Sequence, residues 1–441
     1  MTSAFANAPD LISLVDWLNA EGLRSCLVAV KDIPGRGRGL VVTENVEPGT
    51  PLFTLPESAL LNLKTLRSIY PTLITNSTKG TGLHASQLLS LHIFLYCSDL
   101  LAPSTEERYG SYISSLPKDF DTHPLMWRFR THDKHARDLL ELLPEPLRRN
   151  VESVWLRFVG ERQATVQFLA SHHKILLIKT RFQDSTEEDL QDILLHEQFL
   201  WAWLCVNTRS IYYKVAPLAK SPDNVTMCPL LDFANHSNVI NSGPSIPTFR
   251  APTALRAGDE VFLNYGPHPD QVMFSEYGFV TGDPERAQVD LGPQLEQLLA
   301  SDTAQALKKA QLEQNGYLED WTMHLTPTPH PSFRTMTALR LLCLRDVSDD
   351  TLAEWHKTIN GHSAIVSIEN ETVVRRALTL LCSRILEGCE SGHRQVRSAF
   401  HGTTDVPAWA KISLDTVRAL WDERAHVATA VLEATERGDE F

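Results

Sequence analysis

The spacing of apolar positions changes period several times along the chain. Leu11, Leu14, Val15 and Leu18 recur at helical spacing ahead of Gly22, which predicts a short amphipathic helix ended by a glycine. From Cys26 the pattern shifts to short apolar runs at residues 27–30, 39–46 and 51–55, divided by turn residues at 34–37 and 48–49. These predict strands in a meander. Between Leu60 and Arg209 the apolar runs at 88–95, 139–143, 151–158 and 190–206 are helical in character.

Strand and turn signals return over residues 227–280, interrupted by a connection rich in Gly, Pro, Asn and Ser at 238–247. After Gly282 the pattern is helical again, with a proline-rich loop at 326–331. Val374, Leu378, Leu381 and Ile385 mark one helix face, and Val417, Leu420, Trp421, Ala428 and Val431 another. Stripes of this kind read as core packing, so no chemistry is expected on them. The order is thus β, helical, β, helical.

Composition narrows the function classes. At 441 residues and 43% hydrophobic, the chain can bury a large core and is expected to form two or three domains. With 41 Lys plus Arg against 54 Asp plus Glu, the net charge is −13, which argues against nucleic acid as the main ligand. The seven cysteines are scattered and mostly set among apolar residues, so they read as reduced core thiols. No pair has C-x-x-C spacing, and Cys382, Cys389 and His393 lack the spacing of a zinc site, so no metal is expected.

Residues 1–10 lack the basic start and apolar core of a signal peptide and read as a short frayed tail. The most apolar stretch, 83–101, contains His84, Gln87, His92 and Asp99, and reads as a buried helix, not a membrane span.

Three segments carry candidate chemistry. The first is Gly35-Arg36-Gly37-Arg38-Gly39-Leu40, in a turn leading to a strand, where glycines let backbone approach a ligand closely. A strand follows it, so it is not a dinucleotide fingerprint. The second is the apolar run from Pro229 that ends in Asn235-His236-Ser237, side chains able to hold a polar ligand at a strand end. The third comprises two Tyr-Gly pairs, Tyr265-Gly266 and Tyr277-Gly278-Phe279, around a short helical stretch at 270–276. Each alone also fits a structural role: a Gly-Arg turn, a polar turn after a strand, tyrosines capping a core.

In combination and in this order, the segments resemble those of SET-domain methyltransferases, and within them the Rubisco-methyltransferase-like branch. Residues 109–117 with Trp127, and 201–209, resemble further segments of that branch. The resemblance covers roughly residues 24–282 by motif. It implies an α+β fold: a mixed-β SET core (24–62 and 201–282) split by a helical insertion (63–200), after an N-terminal helix and tail (1–23). An all-helical C-terminal substrate-binding domain (283–441) would follow.

It also implies S-adenosyl-L-methionine as cofactor, held by Gly37, Arg38, Gly39, Asn235 and His236, with Arg209 near its carboxylate and Tyr265 closing the cofactor and lysine channel. Tyr277 matches the tyrosine beside the transferring methyl group, so Tyr277 and Tyr265 are the catalytic candidates. Two positions depart from the branch. Thr50 stands in place of a glutamate, and His268-Pro269-Asp270 in place of Ser-Asn, which bears on cofactor affinity and substrate choice.

The implied activity is protein-lysine N-methylation of a non-histone protein, since no cysteine cluster for a zinc-bound tail follows Phe279. Ribosomal proteins and translation factors are the typical targets of related enzymes. A protein-histidine methyltransferase and a catalytically inactive SET-fold binding module are the alternatives, and retention of Tyr277 fits a lysine amine better. A monomer acting in the cytoplasm, the nucleus or both is expected, with a protein substrate as partner and neither nucleic acid nor membrane.

Overall fold

A computed structural model of the chain describes residues 8–73, 82–97, 103–178, 180, 182–186, 189, 192, 194–215, 224–238, 246–402 and 405–441. It is α+β and divides into two compact units. One comprises Met1–Phe120 with Val154–Pro267, the other Asp121–Ser153 with His268–Phe441. The predicted connection at 238–247 and the tail at 1–10 fall largely outside the described residues.

The first unit opens with the helix Pro9–Glu21, whose Leu11, Leu14 and Leu18 are buried as their spacing predicts. It stops at Gly22, which takes the left-handed conformation that costs glycine least. Strands β1 (Val28–Ile33) and β2 (Gly37–Val42) then form an antiparallel hairpin. β3 (Pro51–Thr54) pairs with β7 (Thr248–Arg250), far away in sequence, and β4 (Ser210–Tyr212) pairs with the next strand, β5 (Val225–Met227).

The principal sheet has the order β1-β2-β8-β6. β8 (Glu260–Leu263) runs antiparallel to β2, and the two-residue β6 (Asn235–His236) runs parallel to β8. In β8 Val261 and Leu263 are buried while Glu260 and Phe262 are only half-buried, the alternation of a sheet with one face on the core. The apolar stretch predicted to be a buried helix is the helix Ala85–Tyr96, nearly all of it buried, packed on the helix Glu197–Arg209.

The second unit is mainly helical. The helices Ile368–Ser398 and Ala408–Arg437 pack along each other, and Gly392 lies so close to the Trp421 indole that a Cβ there would collide with it. The helix Lys134–Leu142 packs on Ala408–Arg437, and the Trp421 indole N–H donates to the Leu142 carbonyl at 2.9 Å. Val374, Leu378, Val427 and Val431 are buried in this core with Trp321 and Trp355. Each such aliphatic side chain contributes about 1.5–3 kcal/mol of burial.

The region after Gly282 differs from a wholly helical one in one respect. It carries a small sheet of β9 (Gln288–Asp290), β10 (Thr322–His324) and β11 (His330–Pro331), in the order β11-β10-β9. Strands of two or three residues are too short for a period-two pattern to register in the sequence.

Candidate functional site

The first unit assembles most of the sequence-predicted site around the β1-β2-β8-β6 sheet. The turn of the hairpin is shorter than its glycines suggest, because Gly37, Arg38 and Gly39 are already part of β2, paired with Ile33, Asp32 and Lys31. Gly37 has φ +70°, in the left-handed region that favours glycine. Gly39 is required for space: a Cβ there would lie 2.8 Å from Ile33 Cγ1 and 2.9 Å from both Asn235 Nδ2 and Glu260 Oε1. Arg38 sends its guanidinium to Asp10 at 2.7 Å, so what it offers a ligand is backbone.

Asn235 and His236 reach this sheet because β6 pairs with β8, Asn235 opposite Phe262 and His236 opposite Leu263. The Asn235 amide donates to Glu260 Oε1 at 2.7 Å, and Arg36 reaches Glu260 Oε2 at 3.2 Å. His236 Nδ1 accepts the Tyr265 backbone N–H at 3.1 Å, so the ring proton sits on Nε2, which donates to Asn238 Oδ1 at 2.8 Å. The Tyr265 ring lies 5.2 Å from that of His236, and its hydroxyl donates to the Ala234 carbonyl at 2.9 Å. The structure thus brings Gly39, Asn235, His236 and Tyr265 together in the same unit.

Arg209 ends the helix Glu197–Arg209 and turns onto the segment before β6. Its Nη1 donates to the Asp232 carbonyl at 2.7 Å and lies 3.6 Å from the Asp232 carboxylate, which also accepts the Tyr112 hydroxyl at 2.9 Å. The Asp232 side chain is 1% exposed, and burial pushes its carboxyl upward against the opposing pull of Arg209 and Tyr112. Arg209 is therefore a neighbour of the Asn235 segment through Asp232. Thr50 uses its backbone, donating to Glu47 and accepting from Ala251.

Tyr277 belongs to the second unit. The helical stretch expected at 270–276 is a helical turn, Asp270–Val272, continued by a π-helical turn, Met273–Tyr277, and capped by Gly278 at φ +82°. Gly278 packs on His123, where a Cβ would sit 2.8 Å from the ring. The Leu125 backbone N–H donates to His123 Nδ1 at 3.2 Å, leaving Nε2 to donate to the Glu276 carbonyl at 3.2 Å. Burial lowers the His123 imidazole to about 4, so it is neutral and acts as a fixed donor beside Tyr277.

Asp270 is also buried. It accepts the Thr281 and Gly282 backbone N–H groups at 2.7 and 2.8 Å, which gives the departure at 268–270 a structural task. Among the described residues no group of three or more His, Cys, Asp or Glu is placed to hold a metal ion, and no helix is long and apolar enough to cross a membrane.

Three residues important to this geometry had no role in the sequence reading: Glu260, Asp232 and His123. A lone acid in the apolar run before Asn235 is a signal of a paired buried charge, and it identifies Asp232. Glu260 and His123 have no such local mark, because their partners come from distant segments.

Comparison with known proteins bears on the family and the fold. The family model described as Rubisco LSMT substrate-binding matches residues 300–394. SET domain-containing protein 4 of Mus musculus is 28% identical over 440 residues, covering 96% of this chain and 91% of the relative. The ribosomal lysine N-methyltransferase set11 of Schizosaccharomyces pombe is 26% identical, covering 81% of this chain and 83% of its own. Among solved structures, the SET domain of LSMT bound to lysine and AdoHcy superposes with a TM-score of 0.62 at 17% identity, covering 98% of this chain and 92% of that one. The fold is that of this structure.

Proposed function

Since the chain is a SET-domain protein of the Rubisco large-subunit methyltransferase-like branch, we propose that it is a protein-lysine N-methyltransferase. Its cofactor is S-adenosyl-L-methionine, and its product is a methylated ε-amine on a lysine of a non-histone protein. Relatives of similar sequence are named ribosomal lysine N-methyltransferases, and solved structures of the same fold hold AdoMet, or AdoHcy with lysine. A ribosomal protein or translation factor is accordingly the substrate we favour.

The observation that carries the reading is the state of Asn235. Its amide nitrogen is engaged by Glu260, and its Oδ1 has no hydrogen-bond partner among the described residues, beside a strand that Gly39 keeps clear of side chain. That is an acceptor prepared for an ammonium group, which fits the amino-acid end of the cofactor. Backbone at Gly37, Arg38 and Gly39, with His236, would hold the remainder, and Arg209 the carboxylate. When bound, S-adenosyl-L-methionine supplies a methyl group activated by a sulfonium.

The substrate amine must arrive without its proton. A free lysine has a pKa of about 10.4, and a desolvated channel beside positive charge favours its neutral form. No strong general base is then required. Tyr265 lines the channel, and Tyr277, assigned by its place in the Tyr-Gly-Phe segment, orients the amine. The second unit, which contains the region matched by the substrate-binding family model, selects the protein. Free and mostly buried cysteines support a reducing compartment, cytoplasm or nucleus, and we expect a monomer.

The test is incubation of the purified protein with methyl-labelled cofactor and extract from cells lacking it, followed by mass spectrometry of the labelled band. Methylation of a lysine is expected. Label on histidine, or none on any protein, overturns the assignment.

A further inference from the structure

Glu260 contacts the candidate cofactor site through Asn235. Its side chain is 13% exposed and holds two cationic or amide donors, Asn235 Nδ2 on Oε1 and the 57% exposed Arg36 on Oε2. The bond to Asn235 passes over the backbone of Gly39, where any Cβ would stand 2.9 Å from both of its ends. Glu260 lies on the same face of β8 as Phe262, against which Arg36 is also stacked, at 5.7 Å from the ring centroid.

This arrangement determines which way the amide points. A carboxylate accepts and cannot donate, so the nitrogen of Asn235 must face Glu260 and its oxygen must face away. Without Glu260 nothing on this side holds the oxygen outward, and the amide can turn its N–H groups toward an incoming ammonium. We infer that Glu260 is a positioning residue for cofactor binding, fixing the Asn235 amide so that Oδ1 receives the cofactor's α-ammonium. This rests on the reading that S-adenosyl-L-methionine binds beside Asn235. Gly39 is part of the same device, because it is what lets the carboxylate and amide meet across the strand.

The experiment is calorimetric binding of two ligands to the full-length protein. S-adenosylhomocysteine carries the α-ammonium, and 5′-methylthioadenosine lacks the amino-acid end. Glu260→Ala should weaken S-adenosylhomocysteine about tenfold and leave 5′-methylthioadenosine within about twofold, with Glu260→Gln intermediate because its amide oxygen can still accept. Melting temperatures are measured on the same samples. Equal weakening of both ligands indicates a merely structural carboxylate and overturns the inference, as does unchanged S-adenosylhomocysteine affinity. Wild-type protein that binds neither ligand overturns the cofactor assignment itself, a result distinguishable from the other two.

Discussion

At the scale of single residues, the candidate site depends on atoms whose roles are set by their partners. His236 is held in one tautomer by the Tyr265 backbone and Asn238, and Tyr265 spends its hydroxyl proton on the Ala234 carbonyl. Tyr277 is the residue for which a chemical and a packing role separate most cleanly. Tyr277→Phe keeps the ring and deletes one oxygen, and turnover should fall at least about tenfold, with cofactor affinity little changed. Unaltered turnover with a lowered melting temperature would instead make it a core tyrosine. The motif residues themselves were readable in the sequence, because each sits in a short local signature. Glu260 and Asp232 were not given roles, since a carboxylate's importance here comes from cross-strand and cross-segment neighbours that local spacing does not encode.

At the scale of elements, the turn that carries Tyr277 shows both what periodicity reveals and where it ends. The sequence predicted a short helical stretch at 270–276, but seven residues cannot distinguish an α-helical from a π-helical period. The positive φ of Gly278 and its contact with His123 define where the turn stops. His123 gives this element a pH signature. Its folded value of about 4 lies below the ordinary 6.5, so the unfolded chain binds more protons between those values. The stabilisation is complete above about pH 6.5 and is lost as pH falls toward 4, amounting to roughly 3 kcal/mol. Urea unfolding at pH 7 and 4.5 should show a steeper loss for wild type than for His123→Asn. Parallel slopes would place the acid sensitivity elsewhere.

The opposite sign occurs where the helix Ala408–Arg437 meets Asp270. Glu423 is pushed up to about 8, first by burial and then by the nearby Asp270 carboxylate. The folded state therefore binds more protons than the unfolded one from about pH 4.5 to 8, and stability falls as pH rises through that window. Glu423→Gln should leave stability at pH 5 nearly unchanged and raise it at pH 8, by no more than about 5 kcal/mol. A variant less stable than wild type at pH 8 would show that ionised Glu423 has a compensating partner.

At the scale of the whole molecule, the alternation of β and helical regions was visible in the changing hydrophobic period, because each region is long enough to average over. Which distant segments share a core was not visible. The apolar face of Lys134–Leu142, with Ala136 and Leu139 buried, is amphipathic in a way that specifies burial and leaves the covering helix unnamed. The structure packs this helix on Ala408–Arg437 as well as on its chain neighbour Pro124–Phe129, and brings Asp270 beside Glu423. A chain ended at Gly282 would strip these faces of their partners. Such a protein should be recovered mainly as aggregate, in contrast to the 441-residue chain prepared alongside it. Soluble, cofactor-binding material from the shortened chain would show that residues 121–153 and 268–282 are stable without the C-terminal helices.

The packing of Lys134–Leu142 on Ala408–Arg437 also sets a schedule for the protein as it is made. The early helix leaves the ribosome long before its cover has been translated. At about 5–20 residues per second the gap between them corresponds to a delay on the order of ten to sixty seconds. During that interval the part of Lys134–Leu142 that packs on Ala408–Arg437 lacks its partner, and the nascent chain presents it to whatever is nearby. Slow decoding between the codons of these two helices, or scarcity of chaperones, should therefore lower the yield of active protein more than the stability of the finished fold suggests.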